Sequence, residues 1–72
     1  MLDEKSEVLE QALYAALNTL EENALMADRL AARSRHHHRG HAAARFEKRA
    51  EESRQQAKII RRVLTEDTSE AV

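Results

Sequence analysis

The chain contains no cysteine and no proline, a single glycine at Gly40, and only Tyr14 and Phe46 as aromatic residues. Each absence excludes something. Without cysteine there is no disulfide framework and no thiolate metal site. Proline and glycine are the residues that interrupt helices, so nothing breaks a long helix here except near Gly40. No apolar run approaches the roughly 20 residues that span a bilayer, and no apolar signal-peptide segment follows Met1. A soluble, cytoplasmic protein is the expectation.

What remains is dominated by Ala, Glu, Arg, Leu and Gln, all strong helix formers. The length, 72 residues, suits one small domain. A chain this short buries only about 60% of the surface its unfolded form exposes, so a solitary core is marginal. With disulfides excluded, partner helices become the favoured means of stabilisation.

The net charge of −1 hides a strong segregation. Residues 1–28 carry seven acids against Lys5, a net −6. Residues 29–49 carry Arg29, Arg33, Arg35, Arg39, Arg45, Lys48 and Arg49 against Glu47, a net +6. Residues 50–72 carry five acids and four bases, a net −1. The middle of the chain is basic and its first part acidic.

Apolar positions recur at helical spacing from about residue 3 to residue 34. Leu9, Leu13, Ala16, Leu20, Ala24, Ala27 and Ala31 follow steps of three and four, with Leu17 and Leu30 widening the stripe. Asp3 is the expected N-cap, with Glu4 and Glu7 near the positive end of the helix dipole. A second stripe, Phe46, Ala50, Ser53, Ala57, Ile60 and Leu64, keeps a heptad seam, extended backwards by Ala43. It predicts a helix over about 41–65, with Arg61 and Arg62 in its last turn and a frayed tail over 66–72. The link over about 35–40 holds three consecutive histidines and Gly40. Glycine reaches a left-handed conformation without steric penalty, so the reversal belongs at or just before Gly40.

The fold expected is therefore all-α: one domain over 1–72, an antiparallel two-helix hairpin. Folding at residues 37–38 brings Leu13 and Leu17 to Ala57, Ile60 and Leu64, and Ala24 and Ala27 to Ala50 and Ser53. Leu30 then lies near Phe46 and Ala43. The mid-seam is built from small side chains, and Leu25, Met26, Ile59 and Val63 are left uncovered. Dimerisation into a four-helix bundle, or docking on a helical surface of a larger protein, would cover them. Placing the loop of one hairpin beside the termini of the other pairs basic with acidic ends.

His36, His37, His38 and His41 are the candidate metal ligands, since imidazole binds Zn²⁺ and Ni²⁺ well. Gly40 interrupts the group, however, and no Asp or Glu lies between Ala31 and Phe46 to complete or orient a site. An exposed polar turn is the expectation, with no metal and no cofactor. Catalysis needs convergent acids or a nucleophile held beside a base. Glu21-Glu22 and Glu51-Glu52 are adjacent on helices and diverge, and no Glu is followed three residues later by His. No enzymatic activity is expected. The basic stretch 29–49 suits phosphate backbones, yet single-strand recognition wants exposed aromatics and this region holds only Phe46.

Several runs carry a family resemblance. They are Ala12-Leu13-Tyr14-Ala15-Ala16-Leu17, Leu20-Glu21-Glu22-Asn23-Ala24 and Asp28-Arg29-Leu30-Ala31, then Ala43-Ala44-Arg45-Phe46-Glu47, Ala50-Glu51-Glu52 and Ile60-Arg61-Arg62-Val63-Leu64. Over residues 8–64 the chain resembles the C-terminal helical extension of chemotaxis methylesterase-like bacterial proteins. Tyr14 stands where that pattern has Trp. The esterase domain with its Ser-His-Asp residues is absent, so no catalytic residue carries over, and the chain reads as an excised accessory domain or a free-standing relative. The resemblance implies a role in bacterial signalling through helix-to-helix contact with itself or a parent protein.

Two functions follow as expectations. One is a non-catalytic helical interaction and oligomerisation module, with Leu9, Leu13, Leu17, Leu20, Ala24, Ala27, Leu30, Phe46, Ala50, Ala57, Ile60 and Leu64 as its core and interface. The alternative is a small nucleic-acid-binding hairpin dimer using residues 29–49. The seam itself is testable. Leu13→Asp and Ile60→Asp each place an unpaired charge between the helices and should abolish the cooperative helical melt followed by circular dichroism. An unchanged melt in both variants would remove the register.

Overall fold

A computed structural model describes the backbone of residues 4–70 and the side chains of residues 6–66. Two helices account for nearly all of it: α1, Glu4–His36, and α2, Gly40–Glu70. They pack along their length as an antiparallel hairpin, with no strand among the described residues. No helix there is long and apolar enough to cross a membrane. The molecule is a rod of 57 × 18 × 12 Å with a radius of gyration of 16.4 Å. A compact chain of this length has a radius near 11 Å.

The buried positions trace one seam. On α1 they are Leu17, Ala24, Ala27, Ala31 and Ser34; on α2 they are Ala43, Ala50, Ser53, Ala57 and Leu64. Half-buried Leu13, Leu20, Phe46 and Ile60 complete the steps of three and four. Antiparallel pairing brings Leu13 level with Leu64, Leu17 with Ile60 and Leu20 with Ala57. The same register carried towards the turn sets Ala24 level with Ser53, Ala27 with Ala50, Ala31 with Phe46 and Ser34 with Ala43, in keeping with their burial. Among the described residues, the one buried cluster with large apolar groups lies towards the chain ends, where Leu17, Ala57 and Leu64 pack with Leu13, Leu20 and Ile60.

Three ion pairs join the helices across one edge of this seam: Glu21–Arg61, Asp28–Arg54 and Arg35–Glu47. They recur every seven residues on both helices, in the flanking positions where antiparallel heptads place charges. Arg54 also reaches Glu51 on its own helix, at 3.8 Å. All of these side chains are well exposed, so each pair contributes about 0–1 kcal/mol. Their greater effect is on register.

The turn departs from expectation. Gly40 does not have positive φ; His38 does, at 59°. The His38 N–H donates to the Arg35 carbonyl at 3.0 Å, and the Arg39 N–H to the Ser34 carbonyl at 2.7 Å. These two bonds form a Schellman ending with His38 as the left-handed residue. Histidine tolerates that region better than most side chains, and the two bonds satisfy carbonyls that the helix end leaves open. The Ala43 N–H donates to the Arg39 carbonyl at 3.0 Å, so Arg39 caps α2 and Gly40 is its first helical residue. The reversal is thus one residue later than a fold at 37–38, and α1 continues to His36 rather than ending at residue 34.

The far end also differs. α2 runs to Glu70, so Arg61 and Arg62 are mid-helix and residues 66–70 are helical rather than frayed. No proline or glycine follows Gly40 to stop the helix, and extension costs little once a helix is nucleated. The cap assigned to Asp3 and the last two residues of the tail lie outside the described residues.

Two stability changes follow from the turn. His38→Gly removes the left-handed penalty of about 1 kcal/mol. A Cβ at Gly40 would meet nothing within 4 Å, and φ there is not positive, so Gly40→Ala should stabilise by about 0.4–1 kcal/mol. Each variant should melt several degrees higher than the parent at equal protein concentration.

Candidate functional site

The histidines come first because they are the chain's only concentrated donor set. His36 ends α1, His37 and His38 form the turn and His41 lies in the first turn of α2, all exposed. The turn separates His37 from His41, so they do not share a helical face. The His36 and His37 rings meet edge to face, with centroids 5.3 Å apart and planes at 78°. Among the described residues no three His, Asp or Glu side chains converge on a point where a cation would sit.

The carboxylates are similarly dispersed. Glu21 is tied to Arg61 and Glu51 to Arg54 and Gln55, while Glu22 and Glu52 point elsewhere from exposed positions. No buried side-chain nitrogen or oxygen among the described residues lacks a hydrogen-bond partner. Nothing there is held in the desolvated, unpaired state that acid–base work exploits.

The distinctive geometry lies on the flanks of the seam. One flank carries the ion pairs. The opposite flank carries Leu9, Met26 and Leu30 from α1 and Ile59 and Val63 from α2, all exposed. Leu9 and Leu30, expected in the core or interface, are 62% and 37% exposed. Each stands one position off the seam, which passes instead through Glu10 and Ala31. Leu25, at 57%, falls on the ion-pair side, as does Tyr14.

Near the loop this apolar flank becomes basic. Leu30, Arg33, Ser34, His37, Arg39 and Phe46 line one shallow depression. Ala42, Arg45, Phe46, Lys48, Arg49 and Glu52 line another. Phe46 is the wall between them. Its ring is large for a stretch of seam otherwise closed by alanine and serine, and it stays half-buried. Arg35 is held by Glu47, but no carboxylate pairs with Arg33, Arg39, Arg45, Lys48 or Arg49 among the described residues. The site is an apolar floor with a cationic rim.

Sequence reasoning placed Leu13, Leu17, Leu20, Ala24, Ala27, Phe46, Ala50, Ala57, Ile60 and Leu64 on the seam, where the structure has them buried or half-buried. It missed the ion-pair ladder. The signal was the repeat 21–28–35 against 47–54–61, visible only once the hairpin register is known. Replacing His36, His37 and His38 together by Gln should leave the melting temperature unchanged, and a chelator should not lower it in the parent chain. A chelator-sensitive melt would establish a metal at the turn.

Comparison with family models, with curated proteins and with solved structures finds no match for this chain.

Proposed function

We propose that the chain is a non-catalytic helical interaction module that self-associates and serves as an accessory to bacterial chemotaxis-type signalling. The observation that carries the self-association is the unpartnered apolar flank of Leu9, Met26, Leu30, Ile59 and Val63 on a hairpin with an alanine core. A monomeric rod exposes these side chains to water at a cost of about 25 cal/mol for every Å². The seam has little with which to offset that cost. The signalling role is supported by the likeness of residues 8–64 to methylesterase extensions, and a cytoplasmic location accompanies it.

The cationic rim around Phe46 favours a second reading, a hairpin dimer that binds nucleic acid through residues 29–49. Against it stands the scarcity of stacking surface. Phe46 is half-buried and Tyr14 lies far along the rod from the loop, so no series of bases can stack.

Sedimentation equilibrium at micromolar concentration and physiological salt separates the outcomes. Self-association gives a species near twice 8.2 kDa, with no change in mass on adding RNA or DNA. A well-folded species at the monomer mass would refute self-association. A salt-sensitive nucleic-acid complex would establish the second reading.

A further inference from the structure

We infer that a second copy of the chain docks antiparallel on the flank opposite the ion-pair ladder, seating Leu9 of each hairpin against Leu30 and Phe46 of the other. The inference rests on self-association and adds the face, the direction and the residues that meet.

Area comes first. The hairpin exposes 6210 Å², whereas a compact monomer of its mass exposes about 4,500 Å². The excess, about 1,700 Å², is ample for the roughly 800 Å² that each partner contributes to a standard interface. The flank offers five apolar groups to fill it, whereas its counterpart offers Leu25 and Tyr14 beside an edge occupied by three ion pairs.

Direction comes from charge. At the loop end of the flank stand Arg33, Arg45 and Arg49, within a region of net +6. At the other end stand Glu66 on the flank and Glu10 at the open end of the seam. Loops side by side would oppose two basic ends within the Debye length of about 8 Å. Loop against termini joins opposite charges twice, as two-fold symmetry requires.

The levels then agree. α1 spans Glu4–His36, so a two-fold axis near Leu20 places Leu9 of one copy level with Leu30 and Phe46 of the other. The same axis brings Val63 level with Met26. Large apolar groups at the chain ends thus meet the depressions beside Phe46, and the four helices enclose a second core.

The absence of cysteine makes the test clean. A spin label on His36→Cys marks the loop. In the antiparallel dimer the two labels lie at opposite ends of a rod 57 Å long, more than about 40 Å apart; side-by-side loops bring them within about 20 Å. Met26→Lys and Val63→Lys, at exposed sites that leave the hairpin helical by circular dichroism, should each weaken dimerisation at least tenfold. Leu25→Lys, on the ladder side, should leave it unchanged. Labels within about 20 Å, or a dimer indifferent to both Met26→Lys and Val63→Lys, would overturn this inference and leave self-association standing. A monomeric parent chain would overturn both.

Discussion

The alanine seam is the constraint from which the other features follow. Of the buried apolar positions among the described residues, only Leu17 and Leu64 are larger than alanine, and no large side chain there is fully buried. Small residues let two helices approach closely, and close approach gives many dispersion contacts along the rod. It gives little apolar area, however, and area is the main source of stabilisation. A hairpin built this way holds its shape while leaving its larger hydrophobic groups outside. Leu9, Met26, Leu30, Ile59 and Val63 are outside because the seam has no width for them.

Half of the seam is blind to register. Sliding one helix by a heptad exchanges Ala for Ala along the Ala43, Ala50 and Ala57 column, and only the Phe46, Ser53 and Ile60 column registers the change by size. The ion pairs resist such a slip. Moving the helices one heptad in one direction sets Asp28 against Glu47, and in the other sets Arg35 against Arg54. Each slip loses native pairs and adds a like-charge contact, so exposed pairs of small individual worth discriminate collectively. The Schellman turn at His38 adds a mechanical limit, since its two backbone bonds leave no slack between α1 and α2.

The hairpin and most of its seam were legible from periodicity, because steps of three and four survive any uncertainty about partners. Three features were not, for separate physical reasons. Gly40 drew the left-handed turn to itself on steric grounds, but hydrogen bonding chose the position. The pattern of helix-end carbonyls placed His38 there, and Gly40 entered the next helix with negative φ. The sequence pattern has Leu9 leading the stripe and Leu30 widening it, because large aliphatic residues usually line a seam; in the structure both stand one position off it and are exposed. The ladder was invisible because adjacency in sequence, as in Glu21-Glu22, hides which of two acids faces across. Glu21 does and Glu22 does not.

The two helix dipoles sharpen the charge argument for assembly. At the loop end, Arg33, Arg35 and His36 in the last turn of α1 offset the negative dipole end. α2 begins a few residues on with no acid in its first turn, so its positive dipole end adds to an already basic neighbourhood. The first carboxylate, Glu47, is drawn across to Arg35 and neutralises that one cation. The loop end therefore carries more positive potential than its formal charges alone supply. An isolated hairpin can relieve this only with counterions. A second hairpin with its acidic end alongside relieves it with fixed charges already ordered on a helix, at little additional cost in side-chain freedom. The same contact covers Leu30 and Phe46, so the electrostatic and apolar demands of this end are met by one neighbour in one orientation.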